Sequence, residues 1–429
     1  MSVPGLLSLT NPNGACEWPI GSSKVMARAL HGKRLRHTVA CLRYGRYPER
    51  TRTSGAQQDL SRNRIGNGER QSKWSESMIK VKVVGAGGYG GVGIVELLLQ
   101  HPETEIVCLA AAADTGRPMS DLYPHLAGFC DLPVLSYDDP RAREPADVVF
   151  FSTPDGVGMQ HAAEELARGA KVIDFSGDFR FPTVEAHAEY ARRAGKPMVH
   201  AAPDLLPMAV YGLPELHSPR LNAQTRLVGN AGCFAVSVLL GLAPAAAADL
   251  IDPRRVICDC KTAISGAGKK PSATYHYPAR YENMNTYKLA GHQHVCEIEQ
   301  ELKRLSGRDY RVTFTAQVVP MCRGILSCLY GDLKDGVTVD DVLSAYRDYH
   351  RPHRFVRIYD RSASIGTIHV RGSNFCNLIV DVDERTRTMR VISHIDNLMK
   401  GQAGNALQNM NILFGLPETL GLDRPGQNP

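Results

Sequence analysis

"MIKVKVVGAGGYGGVGIVELLLQHPETEIVCLAAAAD" (residues 78–114) reads as strand, glycine turn, helix and second strand. Val81, Val83 and Val84 give the first run its β-branched, apolar character. Gly85, Gly87 and Gly90 then fit the G-x-G-x-x-G spacing: a tight turn, a close approach of backbone to a pyrophosphate, and close packing of helix on strand. Gly88 and Tyr89 lie inside the same turn, where the helix offers unpaired N–H groups and the positive end of its dipole to a phosphate. A strand before the glycines and a helix after them make this the opening βαβ unit of a dinucleotide-binding fold.

Outward from that unit the alternation continues. "ADVVFFSTP" (146–154) and "AKVIDFSGDF" (170–179) are apolar runs of buried parallel-strand type, separated by the helix-like "GMQHAAEELARG" (158–169). Beyond residue 233 the texture changes. "RVICDCKTAIS", "YRVTFTAQVVP", "RGILSCLYGDL", "NFCNLIVDVDE" and "TMRVISHID" read as strands of a mixed sheet, interleaved with the helices "HVCEIEQELKRLS" and "TVDDVLSAYRDYH". The expected architecture is α/β: a Rossmann-type domain over 78–232, an α+β catalytic and oligomerisation domain over 233–396, and a helical tail over 397–429 that returns to the first domain.

Residues 1–77 carry 13 Lys and Arg against 5 Asp and Glu, so this segment is +8 and the remainder −2. Its Arg, Ser, Gly, Asn and Gln content and lack of an apolar period predict disorder. It reads as an upstream translation artefact or dispensable tail, a targeting segment or an interaction arm, and Met78 is a natural start for the folded part. The overall +6 is thus no argument for nucleic-acid binding by that part. No stretch approaches the roughly 20 apolar residues of a membrane span. Eleven cysteines, odd in number and without C-x-x-C spacing, fit a reduced cytoplasmic setting and no structural metal.

One cysteine stands apart. In "VGNAGCFAVSVLLGLAPAAA" (228–247), Cys233 sits between small residues and the start of a helix. A cysteine is ordinarily a buried apolar residue. At a helix N-terminus its pKa is expected to fall, and Ala231 and Gly232 leave room for a carbonyl. A thiolate beside a nicotinamide implies acyl chemistry, with sulfur attacking an activated carbonyl and hydride moving to or from the sulfur-bound carbon. For the proton, "GHQHVCEI" supplies His292 and His294, with Glu297 placed to orient one of them. Both imidazoles share a face if the segment is extended up to a helix start near Val295. "ISGAGKK" offers backbone donors and Lys269 to an anion, and Arg323 in "PMCRGIL" suits a bidentate grip on phosphate or carboxylate.

In their order "GAGGYGG", "VIDFSGDFR", "VYGLPELH", "GNAGCFAVS", "ISGAGKK", "GHQHVCEI", "VPMCRGIL", "RGSNFC" and "IDNLMKGQAGNALQNMNILFGLPETLGL", the motifs over about 79–423 resemble the N-acetyl-gamma-glutamyl-phosphate reductases of arginine biosynthesis. The resemblance implies a glyceraldehyde-phosphate-dehydrogenase-like architecture, NADPH as cofactor, Cys233 as nucleophile and one of His292 and His294 as acid/base. It makes Gly266 and Asn397 cofactor contacts beside Gly85, Gly87, Gly88, Tyr89 and Gly90 of the glycine turn, and Ser265, Lys269, Glu297 and Arg323 contacts to substrate or phosphate. A small acyl phosphate, a homo-oligomer, no metal, no nucleic acid and no membrane complete the expectation.

Several positions depart from the family pattern. Ala231 and Phe234 replace Pro and Tyr around the Gly-Cys pair, His292-Gln293-His294 replaces His-Arg-His, Cys296 replaces Pro, and Asp155 replaces His. "LAAAADTG" lacks the Ser-Arg pair suited to a 2′-phosphate; Arg117 is a substitute, while Asp114 sits where an NAD-type ribose partner would. The competing readings are a lysine-pathway reductase of carrier-linked aminoadipyl phosphate, aspartate-semialdehyde dehydrogenase, and a non-catalytic NAD(P)-binding paralogue.

Overall fold

The apolar runs of the first half pair as a wholly parallel seven-stranded sheet in a computed structural model that describes residues 78–217 and 220–427. The basic extension and its expected disorder lie outside the described residues. The strands are β1 (Ile79–Val84), β2 (Thr104–Ala110), β3 (Val134–Leu135), β4 (Val148–Phe151), β5 (Lys171–Asp174), β6 (Val210–Gly212) and β7 (Leu227–Asn230). Their spatial order is β3-β2-β1-β4-β5-β7-β6. The order reverses between β1 and β4, and such a switch point is where ligands enter open α/β sheets. Every residue of β4 is fully buried, because helices cover both faces. Even Lys82 of β1 is fully buried, and it is tolerated there because Nζ pairs with Glu165 at 2.9 Å from the helix Gly158–Ala167.

The second sheet is mixed, in the order β12-β13-β14-β11-β8-β10-β9. It comprises β8 (Ile251–Thr262), β9 (Asn285–Tyr287), β10 (Val312–Val318), β11 (Ile325–Leu333), β12 (Val356–Tyr359), β13 (Cys376–Asp383) and β14 (Thr388–Ile395). β11 alternates strictly between buried residues such as Ile325, Ser327 and Leu329 and half-buried ones such as Leu326, Cys328 and Tyr330. The sheet is therefore helix-covered on one face only. The covering layer includes Cys233–Ala247, a helix apolar all round and correspondingly buried on all sides.

The tail forms a π-type turn, Met399–Ala403, continued by the helix Gly404–Leu413. That helix contacts the first helix, Tyr89–Leu98, and strands β5, β6 and β7. The polar residues of the tail are buried and paired: Asn405 and Asn409 of the helix both donate to Asn230 Oδ1, and Lys400 Nζ of the π-type turn pairs with Glu215 at 2.6 Å. No helix of the described residues is long and apolar enough to cross a membrane.

Candidate active site

The carboxyl ends of β1, β4, β5 and β7 face the loops of the mixed sheet across a cleft of about 660 Å³. The glycine turn forms one wall. Gly85 adopts φ 86°, and a Cβ there would lie 2.2 Å from the carbonyl oxygen of Ser152, so only glycine fits between β1 and β4. A Cβ on Gly87 would meet nothing within 4 Å. The helix that follows has no side-chain cap, and Gly88, Tyr89 and Gly90 at its start line the cleft. Free first-turn N–H groups beside open space fit a dinucleotide pyrophosphate. The close helix-to-strand packing expected of Gly90 falls instead on Gly91, whose Cβ would lie 2.2 Å from Gly85 O and 2.6 Å from Ala86 Cα. Gly90 faces Ser152 and Gln402.

Cys233 is the first residue of its helix, behind Gly232 in extended conformation. The expected fall in its pKa does not occur. Burial is the dominant influence and pushes the thiol up to about 11, with the Arg180 guanidinium the largest opposing one. Gly232 N donates to Glu297 Oε2 at 3.0 Å. The same carboxylate accepts from Tyr211 Oη at 3.0 Å and from Arg180 Nη1 at 2.9 Å. Glu297 is thus fully buried beneath the nucleophile loop and does not line the cleft. The expectation that it touches substrate is corrected: its oxygens are spent on holding Gly232, Tyr211 and Arg180.

His292 and His294 do come together, with ring centres 4.8 Å apart. The approach is not extended, because Gln293 is helical in φ and ψ and the helix begins at His294. His294 N donates to His292 Nδ1 at 3.2 Å. His294 Nε2 lies where a Cβ on Gly232 would approach it to 2.5 Å, so this ring abuts the residue next to the nucleophile. Phe234 and Phe314 pack against His292 with ring centres 5.5 and 5.1 Å away. Burial lowers both imidazole pKa values, that of His292 to about 2, so both rings are neutral at neutral pH.

Ser265, Gly266, Lys269 and Asn397 line the cleft. Asn397 Nδ2 donates to Ser265 Oγ at 3.0 Å, and its Oδ1 accepts from Gly324 N at 2.8 Å. Lys269 Nζ lies 4.7 Å from the Tyr123 ring centre. Two expected contacts lie elsewhere. Arg323 is committed to Asp396, donating at 3.0 and 3.2 Å, and borders a neighbouring cavity. Arg117 stays outside the cleft, exposed and 3.6 Å from Asp114. The sequence reading passed over Arg180, which is buried beside Cys233 and donates to Asn230 O, Phe175 O and Glu297. The available signal was an arginine inside the apolar run "DFRF" after a parallel strand.

With this geometry in place, comparison with known proteins is direct. The family model "Semialdehyde dehydrogenase, NAD binding domain" matches residues 80–224, and "Semialdehyde dehydrogenase, dimerisation domain" matches 233–397. An N-acetyl-gamma-glutamyl-phosphate reductase of Citrifermentans bemidjiense is 41% identical over 347 residues, covering 81% of this chain and 98% of that protein. One from Symbiobacterium thermophilum is 43% identical over 349 residues, covering 81% and 98%.

The chain belongs to the N-acetyl-gamma-glutamyl-phosphate reductase family.

Among solved structures, an aspartate semialdehyde dehydrogenase II of Vibrio cholerae aligns with TM-score 0.60 at 15% identity, covering 79% of this chain and 99% of that one. A probable aspartate-semialdehyde dehydrogenase of Pseudomonas aeruginosa aligns with TM-score 0.59 at 19% identity over 79% and 99%. At such identity these two establish the shared fold. Family membership and the glycine turn together make the cofactor a nicotinamide dinucleotide.

Proposed function

We propose that the chain reduces N-acetyl-L-glutamyl 5-phosphate to N-acetyl-L-glutamate 5-semialdehyde and phosphate with NADPH, through a thioester on Cys233. The observation that carries the reading is the position of Cys233: at a helix start, inside the cleft, with the glycine turn on one wall and the His292/His294 pair on the other. The names of the relatives go with this substrate rather than with an aminoadipyl or aspartyl one.

In this scheme the Cys233 sulfur attacks the acyl carbon, the C–S bond forms, and the C–O bond to phosphate breaks. Gly85, Gly87 and Gly88 with the first turn at Tyr89 and Gly90 hold the pyrophosphate, while Gly266 and Asn397 border the nicotinamide end. When bound, the cofactor supplies hydride to the thioester carbon. The histidine pair, neutral at rest, accepts the thiol proton as sulfur attacks, steadies the oxyanion of the reduced adduct as imidazolium, and gives the proton back to the Cys233 sulfur as the C–S bond breaks, C=O reforms and aldehyde leaves. Arg180 and Glu297 position the nucleophile loop, and Ser265 with Lys269 receives the phosphate. Arg117 is the candidate partner of a 2′-phosphate, in exchange for its exposed pair with Asp114. A cytoplasmic homo-oligomer, joined through residues of 233–396, completes the reading.

The test runs the reaction backwards with the full chain: phosphate-dependent reduction of NADP⁺, and separately NAD⁺, by N-acetylglutamate semialdehyde, with wild type beside Cys233→Ser. Turnover that prefers NADP⁺ and vanishes in the variant is expected, with cofactor binding retained. A wild type that binds cofactor and turns over neither mixture overturns the substrate assignment.

A further inference from the structure

The positive side chains in and around the cleft are unequally committed. Arg180 is ion-paired with Glu297, and Arg323 with Asp396. Lys269 stands at the end of the cleft that borders the neighbouring cavity at Ser265 and Gly268. Lys196 and Lys288 belong to the opposite end, where Asp155, Tyr190 and Lys196 are shared with a different small cavity. Among the described residues, neither Lys196 nor Lys288 has a carboxylate within salt-bridge distance. Asp155, whose negative charge bears on Lys288, already accepts from Gly177 N at 2.8 Å and from Tyr190 Oη at 3.4 Å.

Lys288 is held, not loose. Its backbone is left-handed, φ 50°, a conformation unfavourable to a lysine and one that a mobile surface residue has no reason to keep. Its Nζ donates to Gln293 Oε1 at 2.8 Å, and its charge bears on both His292 and His294. Gln293 is the position at which the family pattern has arginine. Two cations at 288 and 293 would repel, whereas the glutamine carbonyl accepts from the Lys288 ammonium. The pair Lys288/Gln293 therefore puts one cation at this end of the cleft by a different route. Lys288 is an exposed residue on the cleft wall, and packing of part of its side chain against the protein lowers its pKa.

A substrate whose reacting carbon meets Cys233 must place the rest of its carbon chain away from the departing phosphate. The geometry points to Lys288, fixed by Gln293 and reinforced by Lys196, as the cation that binds the free carboxylate of the acyl substrate. This makes Lys288 a specificity determinant that takes no part in bond making, and it rests on the reductase reading above.

The experiment uses the full chain with N-acetylglutamate semialdehyde, phosphate and NADP⁺. Lys288→Met is expected to raise KM for the aldehyde about tenfold or more, with kcat within about threefold and KM for phosphate unchanged, since a charge-assisted hydrogen bond to carboxylate is being removed. Lys288→Arg keeps the charge and most of the affinity. With the α-carboxamide analogue, wild type should lose about tenfold in kcat/KM while Lys288→Met discriminates little between the two aldehydes. A Lys288→Met enzyme that prefers carboxylate over carboxamide as strongly as wild type overturns the proposal. If wild type turns over neither aldehyde, the reaction assignment has failed and Lys288 is tested without turnover, by the protection that N-acetylglutamate gives Cys233 against iodoacetamide. Protection in wild type that is lost in Lys288→Met supports the assignment, and equal protection, or none in either, sinks it.

Discussion

The thiol of Cys233 starts a helix, where aligned N–H dipoles favour a thiolate. It is also packed under Gly401, whose Cβ, if present, would lie 2.9 Å from that of Cys233. Burial outweighs the dipole and the nearby Arg180, and the thiol sits at about 11 rather than at or below the ordinary value of about 8.5. The resting nucleophile is therefore a thiol, and reactivity depends on a neighbouring base taking its proton. Alkylation of Cys233 by iodoacetamide should accordingly rise about tenfold per pH unit from pH 7 to 10, followed by mass spectrometry of the peptide that contains it. A rate that levels off near pH 8 would show a thiolate already formed and refute this account. The neutral histidines fit the same logic, because an unprotonated imidazole can accept that proton.

At the scale of the element, the glycine turn separates stability from binding within five residues. Ala at 91 would drive its Cβ into backbone at 2.2 and 2.6 Å, which nothing flexible can relieve. Gly91→Ala should cost about 1–3 kcal/mol in urea unfolding. Gly87→Ala meets no protein atom within 4 Å and should leave the urea midpoint unchanged while weakening NADP⁺ binding in titration calorimetry. Equal losses of stability in both variants would contradict this division. The turn itself was legible because glycine spacing, a valine-rich strand and a following helix all point the same way. The assignment of close packing to Gly90 was not, since "GAGGYGG" holds two overlapping frames and only the contact of helix with strand chooses between them. The long alternating strands of the second sheet were also readable. β3, β6, β9 and β12, at two to four residues, carry too few periods to be seen. At the site, Cys233 and the histidines announce themselves by chemistry and position, whereas Arg180, Tyr211 and the burial of Glu297 exist only through contacts across 86 and 117 residues of chain.

For the molecule as a whole, the cost of burying histidines sets how stability responds to acid. His101, His187, His292, His294, His350, His353 and His394 all have lowered pKa values with burial as the first cause, reaching about 4 for His187 and His350 and about 2 for His292. Below about pH 6.5 the unfolded chain protonates these rings and the folded one does not, so the unfolded state binds more protons and stability falls as pH falls. Glu189, held at about 2 by Arg192 and Arg193, adds a loss of the same sign at lower pH. Asp174 and Asp178 act oppositely: burial raises their pKa values, so their contribution is present at low pH and is lost as pH rises through the folded values. Seven histidines outweigh two aspartates between pH 6.5 and 5, and the urea midpoint should drop steadily over that interval. One histidine can be isolated within the sum. Fully displaced groups contribute about 1.4 kcal/mol per pH unit, so His292→Asn should flatten the slope of unfolding free energy by about that amount between pH 6 and 5. An unchanged slope would mean that His292 gains its proton in the folded protein as readily as in the unfolded chain, and with it that burial does not hold this ring neutral in acid.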